Sequence, residues 1–166
     1  ICGEHGGEPI SVAVNVSPVQ IQDPGFPARV EEVLATTGFD PTMLVLEVTE
    51  SIGVEYDDVL GAQLDTLRGE GMRIALDDFG TGHSSLSNLK RFPIDKLKID
   101  RTFVRDIASD PDDRAITAAI VELARAMAIT SIAEGVESEA QLGFLLERGC
   151  DEMQGFLASP PLAAGQ

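Results

Sequence analysis

A chain of 166 residues is long enough for one domain with a substantial core, and 43% hydrophobic with 24% charged residues is ordinary for a soluble globular protein. The charge balance is not ordinary: 28 acids against 12 bases give a net charge of −16, with no basic stripe to release counterions from phosphates, which excludes duplex nucleic acid as a partner. A small phosphate-bearing substrate stays open where divalent metal neutralises the charge locally.

After the loop-like opening from Cys2 to Pro9, Ile10 to Val14 reads as a buried strand, and Asn15 follows it. Phe26 to Thr37 has helical spacing at Val30, Val33 and Leu34, and Gly38 ends it as a C-cap. Met43 to Val48 is the second strand, with Glu47 near its end. Asp57 to Gly69 is a helix with Val59, Leu60, Leu64 and Leu67 on one face. Met72 to Leu76 is the third strand, followed by Asp77, the Gly-rich stretch Asp78-Phe79-Gly80-Thr81-Gly82 and a short helix from Ser84.

Pro93 forces an extended entry into a fourth strand, Lys96 to Ile99, which carries Lys98. Asp112 to Ala128 is the longest helix, with Ile116, Ile120, Leu123 and Met127 as its buried stripe. Thr130 to Ala133 is the fifth strand and Glu134 follows it. Glu139 to Arg148 is a helix, and Glu152 to Leu157 is the sixth strand, carrying Gln154. The longest apolar region, 117–133, is broken by Glu122 and Arg125 and does not read as a membrane span. Cys2 and Cys150 make no disulfide framework, which fits a reducing cytosol.

Alternating strands and helices imply a parallel sheet. Asn15, Glu47, Asp77 with Asp78, Lys98, Glu134 and Gln154 then fall on one rim of that sheet, where α/β barrels keep their catalytic groups. An open doubly wound sheet is the alternative, but it concentrates its site at one switch point. Polar residues at the end of every strand favour a barrel variant with six of eight strand–helix units. The chain starts at Ile1 rather than Met, and a piece of a longer protein lacking the first two barrel strands is the expectation.

Four carboxylates on one rim repel one another, and a fold tolerates that when a cation sits among them. Oxygen donors of this kind select Mg²⁺ or Mn²⁺, and without a Cys or His cluster a structural zinc is disfavoured. His5 and His83 are isolated and take no metal role. Adjacent Asp77 and Asp78 suit a pair of metals, a common device for phosphodiester hydrolysis, and Asn15 adds a neutral carbonyl oxygen. For any single acid a cap or surface role is the ordinary explanation, and Lys98 read alone is an ion-pair partner. Six polar strand ends together weaken that explanation. Gly80 and Gly82 serve as turn residues or let a loop close over ligand.

Asn15-Val16-Ser17, Glu47-Val48-Thr49-Glu50, Asp77-Asp78-Phe79-Gly80-Thr81-Gly82, Lys98-Ile99-Asp100, Glu134-Gly135-Val136-Glu137 and Gln154-Gly155 resemble the successive signatures of the EAL domain. The resemblance implies a TIM-barrel variant that hydrolyses cyclic di-GMP to linear pGpG with Mg²⁺ or Mn²⁺. By motif, Asn15, Glu47 and Asp77 match ligands of one metal, and Asp77 with Asp78 serves the second. Lys98 and Glu134 match the residues that handle the attacking water, Glu134 as general base. Glu50 matches the glutamate that holds the 78–82 loop, and Glu137 and Gln154 match site-wall residues, Gln154 touching substrate. The resemblance also implies a homodimer, an upstream sensory or GGDEF domain in the parent chain, and a cytoplasmic domain whose parent is membrane-anchored or not. Residues 1–166 would be the C-terminal three-quarters of the domain, without the Glu-Ala-Leu segment and its metal ligand. His83 stands where the family usually has Tyr, and Pro160 where Arg usually precedes the last Pro. A domain that only binds cyclic di-GMP and signals to a partner is the competing reading, and an enolase-type barrel with Lys98 as base is the third.

Overall fold

The structure is a computed structural model and describes residues 10–50, 58–81 and 89–159. Six strands follow one another in space as they do in sequence, all parallel: β1 (Val12–Val16), β2 (Leu44–Thr49), β3 (Arg73–Phe79), β4 (Lys96–Ile99), β5 (Thr130–Glu134) and β6 (Glu152–Gln154). The helices are α1 (Pro18–Ile21), α2 (Phe26–Thr37), α3 (Asp58–Gly69), α4 (Arg101–Arg105), α5 (Pro111–Ala126) and α6 (Glu139–Arg148), with a 3₁₀ turn at Pro41–Met43. The sheet curls into a half-barrel, the barrel-variant architecture that the strand pattern predicts.

Register sorts the two faces of the sheet, because paired residues on parallel neighbours point the same way and successive residues alternate. One face carries Val14, Leu46 and Ile74, then Val16, Val48, Leu76 and Leu97, then Ile99, Ala133 and Met153. Most of these are buried, and with Leu60, Leu64, Leu67, Val104, Ile120 and Leu145 they form one continuous apolar core under the helices. The other face is polar. It carries Asn15, Glu47, Ala75, Lys96 and Thr130 in one row and Lys98, Ile132 and Glu152 in the next. On this face Lys96 crosses to Glu152, two strands away, at 2.7 Å.

Several predicted bounds move. β1 spans Val12–Val16 rather than Ile10 to Val14, so Asn15 lies within the strand and pairs with Glu47. β3 runs past Leu76 through both aspartates to Phe79. β6 stops at Gln154 because the backbone of Gly155 lies against that of Val136, and the chain turns there. The predicted stripes are one residue out in places: Val33, Val59 and Ile116 are exposed. The face that α5 buries is Thr117, Ile120, Val121 and Ala124, an i, i+3, i+4, i+7 set adjacent to the predicted one. Leu123 and Met127 are only partly buried. The helix predicted from Ser84 lies outside the described residues.

Two short helices escaped the sequence pattern. α1 opens with a complete capping box, Ser17 and Gln20 each bonding the other's backbone, and α4 is capped by Asp100 accepting from Thr102 N at 2.9 Å. The longer α2 ends as predicted, at Gly38 with φ 67°.

Gly155 is fixed by sterics. A Cβ there would lie 2.2 Å from Val136 O and 2.3 Å from Val136 N, and both atoms already bond the chain around Gly155. Gly155→Ala should therefore destabilise the fold by about 2 kcal/mol or more, roughly 4–8 °C in Tm. Gly143→Ala on exposed α6, where a Cβ meets nothing within 4 Å, should be neutral or slightly stabilising. Thermal melts of the two variants check the pair, and equal melting would mean that the Gly155–Val136 contact does not exist.

Candidate active site

The site is assembled from strand ends on the polar face. Lys98 Nζ lies 2.8 Å from Glu47, 3.0 Å from Asp77 and 2.6 Å from Glu134, so one ammonium on β4 joins carboxylates from β2, β3 and β5. Its side chain is 5% exposed, against 11%, 14% and 20% for the three acids. Burial alone would push Lys98 down. Its hydrogen bonds to Glu134, Glu47 and Asp77 outweigh burial and hold it above its ordinary value.

A β-bulge brings in the fourth acid. Leu76 pairs with Leu97 and Phe79 with Ile99, so Asp77 and Asp78 together oppose Lys98 alone. Adjacent strand residues otherwise point to opposite faces. Here Asp78 adopts φ 55°, and carboxylate oxygens of Asp77, Asp78 and Glu134 all lie within 4.8 Å of one another. At an effective dielectric of 20, like charges that close repel by about 3 kcal/mol per pair. Burial and this repulsion together raise the proton affinity of two of these acids. Glu134 is raised by burial first and by the charges of Asp77 and Glu47, with Lys98 opposing. Asp78 is raised by burial, Asp77 and Asp100, although much of its side chain still meets solvent.

Asp100 is the site residue that the strand-end pattern missed. It is 9% exposed, and its carboxylate and that of Asp78 each bear on the other's protonation. Burial pushes Asp100 up, but donations from the Thr102 hydroxyl and N–H, with the influence of Asp78, outweigh it and leave it below the usual carboxylate value. The available signal was its place two residues after Lys98, on the same side of β4.

Glu50 stands where the loop needs it. It is 6% exposed, and its Oε2 accepts from Gly80 N at 3.2 Å. Gly80 has φ 98° and packs against Phe103, so no other residue fits without displacing that ring. Thr81 bonds back to Asp78 O at 2.9 Å. Gly82 lies outside the described residues. Beyond Glu134, a cavity of about 240 Å³ is lined by Glu134, Glu137 and Gln154 together with Arg101, Gly135 and Phe156. Its wall is held by buried Gln141, which accepts from Glu137 N and Ser138 N and donates to Val104 O and Arg105 O. Asn15 is the one predicted ligand that stays apart: it neighbours Glu47 by register, but its side chain is exposed on the edge strand and makes no hydrogen bond to the cluster.

Only oxygen donors converge here, and one Lys faces four carboxylates. That donor set fits a hard divalent cation. Lys98 meanwhile is the charge whose removal would leave these buried acids uncompensated. Because its folded-state value lies above the ordinary 10.5, its contribution is complete below that pH and fades as pH rises through and beyond it. Lys98→Met should destabilise the metal-free chain by about 3–5 kcal/mol at neutral pH. The gap from wild type should shrink between about pH 10 and pH 12. Thermal melts across that range check both statements, and a gap that grew with pH would overturn the assignment.

Comparison with known proteins agrees with this geometry. The EAL domain profile matches residues 3–161. The chain is 45% identical over 156 residues to the bifunctional diguanylate cyclase/cyclic di-GMP phosphodiesterase MucR of Pseudomonas aeruginosa, covering 94% of this chain and 23% of that protein. It is 41% identical over 155 residues to the cyclic di-GMP phosphodiesterase PdeR of Escherichia coli, covering 93% and 23%. The P. aeruginosa MucR phosphodiesterase in complex with c-di-GMP superposes with a TM-score of 0.86 at 45% identity, over 93% of this chain and 62% of that one. A manganese and cyclic di-GMP complex of Klebsiella pneumoniae BlrP1 does so at 0.81 and 36%, over 89% and 38%. This chain thus spans less than a quarter of the curated relatives named. Among its described residues no helix is long and apolar enough to cross a membrane. A profile match over nearly the whole length, on top of the strand-end acids and the shared fold, settles the affiliation: the chain belongs to the EAL domain family.

Proposed function

We propose that this chain carries the phosphodiester-cleaving site of a cyclic di-GMP phosphodiesterase that works with Mg²⁺ or Mn²⁺. The observation that carries the reading is the Asp77–Asp78–Glu134 cluster wired through Lys98 to Glu47. Glu47, Asp77 and Asp78 would hold the metal, with Asn15 adding a carbonyl oxygen. A bound divalent cation supplies charge neutralisation of the phosphodiester and a more acidic water.

The protein's own groups do the rest. Lys98, buried and charged, gives a fixed positive end against the negative charge that builds on phosphorus oxygens as the water oxygen–phosphorus bond forms. Glu134, its affinity for protons raised, accepts the proton of the attacking water. The phosphorus–3′-oxygen bond breaks as that attack completes, and the 3′-oxygen takes up a proton to leave linear pGpG. Gln154 and Glu137 stand at the wall of the adjoining cavity and orient the nucleotide. Glu50 keeps the loop after Asp78 in the conformation that aims Asp78 inward.

In the longer protein, excess chelator should abolish turnover of cyclic di-GMP, and Mg²⁺ or Mn²⁺ should restore it. Asp77→Asn should lower kcat by at least about a thousandfold with a smaller effect on ligand affinity. Glu50→Ala, which removes no proposed ligand but frees the loop that aims Asp78, should lower kcat by about a hundredfold while weakening metal binding by calorimetry less than Asp77→Asn does. Turnover unaffected by chelator would sink the metal reading. Binding of cyclic di-GMP without turnover would assign the chain to the regulatory class instead.

An open sheet edge supports the proposed domain limits. Among the described residues β1 has a partner on one side only, and Val12 and Val14 are 43% and 44% exposed beside an apolar groove of about 590 Å³ lined by Phe26, Val30, Val33 and Leu34. We propose that further strands of the EAL domain cover this edge in the parent protein, that they bring the Glu-Ala-Leu metal ligand, and that a GGDEF or sensory domain accompanies them in a cytoplasmic homodimer. Expressed alone, residues 1–166 should then self-associate through β1 and turn over cyclic di-GMP poorly. Size-exclusion chromatography and a turnover assay check this, and an active monomer would refute the open-edge account.

A further inference from the structure

A second groove, of about 590 Å³, runs between the start of α2 and α3, remote in character from the acid cluster. Pro27 and Ala28 on one wall face Ala62 and Gln63 on the other, and Glu31 and Asp58 stand beside them. Gln63 is 7% exposed, yet neither its Oε1 nor its Nε2 has a hydrogen-bond partner among the described residues. Buried Gln141, by contrast, makes four hydrogen bonds. Leaving both ends of a buried carboxamide unpaired is costly, and native folds rarely do so. Asp58 reaches Arg91 only at 3.8 Å, and its side chain is fully exposed.

We propose that this groove docks an extended, basic segment of a partner protein, in which the N–H and C=O of one residue pair with the amide of Gln63. A carboxamide offers one acceptor and one donor, and the N–H and C=O of one extended residue point the same way and complement them, so a single residue satisfies both orphaned atoms once the terminal torsion of Gln63 turns toward the groove. The small aliphatic lining accepts an alkyl side chain and offers no aromatic ring on which a nucleobase could stack. Glu31 and Asp58, in a chain of net charge −16, repel phosphates and carboxylates and attract lysine or arginine.

The test uses the complete EAL domain of the longer protein, ¹⁵N-labelled, with two capped octapeptides as probes: one alternating lysine and leucine, one alternating glutamate and leucine. The basic peptide should shift the side-chain amide signals of Gln63, and the acidic one should not. Glu31→Lys with Asp58→Lys should weaken the basic peptide at least about tenfold. Gln63→Leu should melt higher than wild type, because it removes an unsatisfied amide, and should bind the peptide about tenfold more weakly. The proposal is overturned if neither peptide moves the Gln63 signals, if both move them equally, or if Gln63→Leu binds as wild type does.

Discussion

Everything at the rim hangs on Lys98. Four carboxylates from three strands cannot be packed at one end of a sheet unless a cation stands among them, and Lys98 is the cation that the sequence supplies. Its stem rises from β4 between β3 and β5, and its hydrogen bonds to Glu134, Glu47 and Asp77 keep it charged despite burial. One positive charge does not balance four negative ones. Burial first, and then the remaining excess of negative charge, keep Glu134 and Asp78 more basic than free carboxylates, and an unbalanced set of oxygen donors suits a divalent ion. The same residue thus lets the acid cluster fold and leaves its charge only partly balanced.

The sheet gives this arrangement its direction. Its apolar face is a continuous Val, Leu and Ile surface sealed by helices, and that surface provides the burial that the polar face does not. The polar face carries ion pairs at two levels, Lys96 with Glu152 below and Lys98 with its three acids above. A buried ion pair is weak evidence for stability and better evidence for position. Here the positions are the carboxyl ends of parallel strands, the rim where α/β barrels keep their reaction centres.

The sequence was legible where a local rule decides the outcome. The strand-end acids, the Gly38 C-cap, and the extent of α2, β4 and α6 all follow from periodicity and end signals. The buried stripes of α3 and α5 were less legible, because a helix in which nearly every third or fourth residue is apolar has two adjacent stripes of similar quality. Packing against β3, β4 and β5 selects between them, and it left Val59 and Ile116 outside. Asp100 was missed because the residue after a strand can be a helix cap or a site residue, and it is both. The bulge could not be read at all. Nothing in Leu76-Asp77-Asp78-Phe79 announces that two residues oppose one, since that count is set by where β4 pairs on either side. The lonely position of Asn15 has a similar cause: which side chains meet across the open edge depends on what lies beyond β1, not on the strand itself.

The bulge also explains why two aspartates, rather than any two acids, stand in β3. Asp78 holds φ 55°, a region that costs most side chains energy but that Asp and Asn enter more readily than others. Glutamate would offer the same charge at a higher conformational cost and with a longer, looser reach. Glycine would relieve the backbone and remove the carboxylate. The strain is held in place by local bonds on both sides: Asp78 N donates to Asp77 Oδ1 at 3.0 Å, Thr81 returns to Asp78 O, and Glu50 anchors Gly80 from the end of β2. Backbone strain fixed in this way by its surroundings is typical of functional positions. It follows that the loop after Asp78 and the aim of Asp78 form one mechanical unit, so whatever moves Glu50 also moves a carboxylate of the proposed metal site.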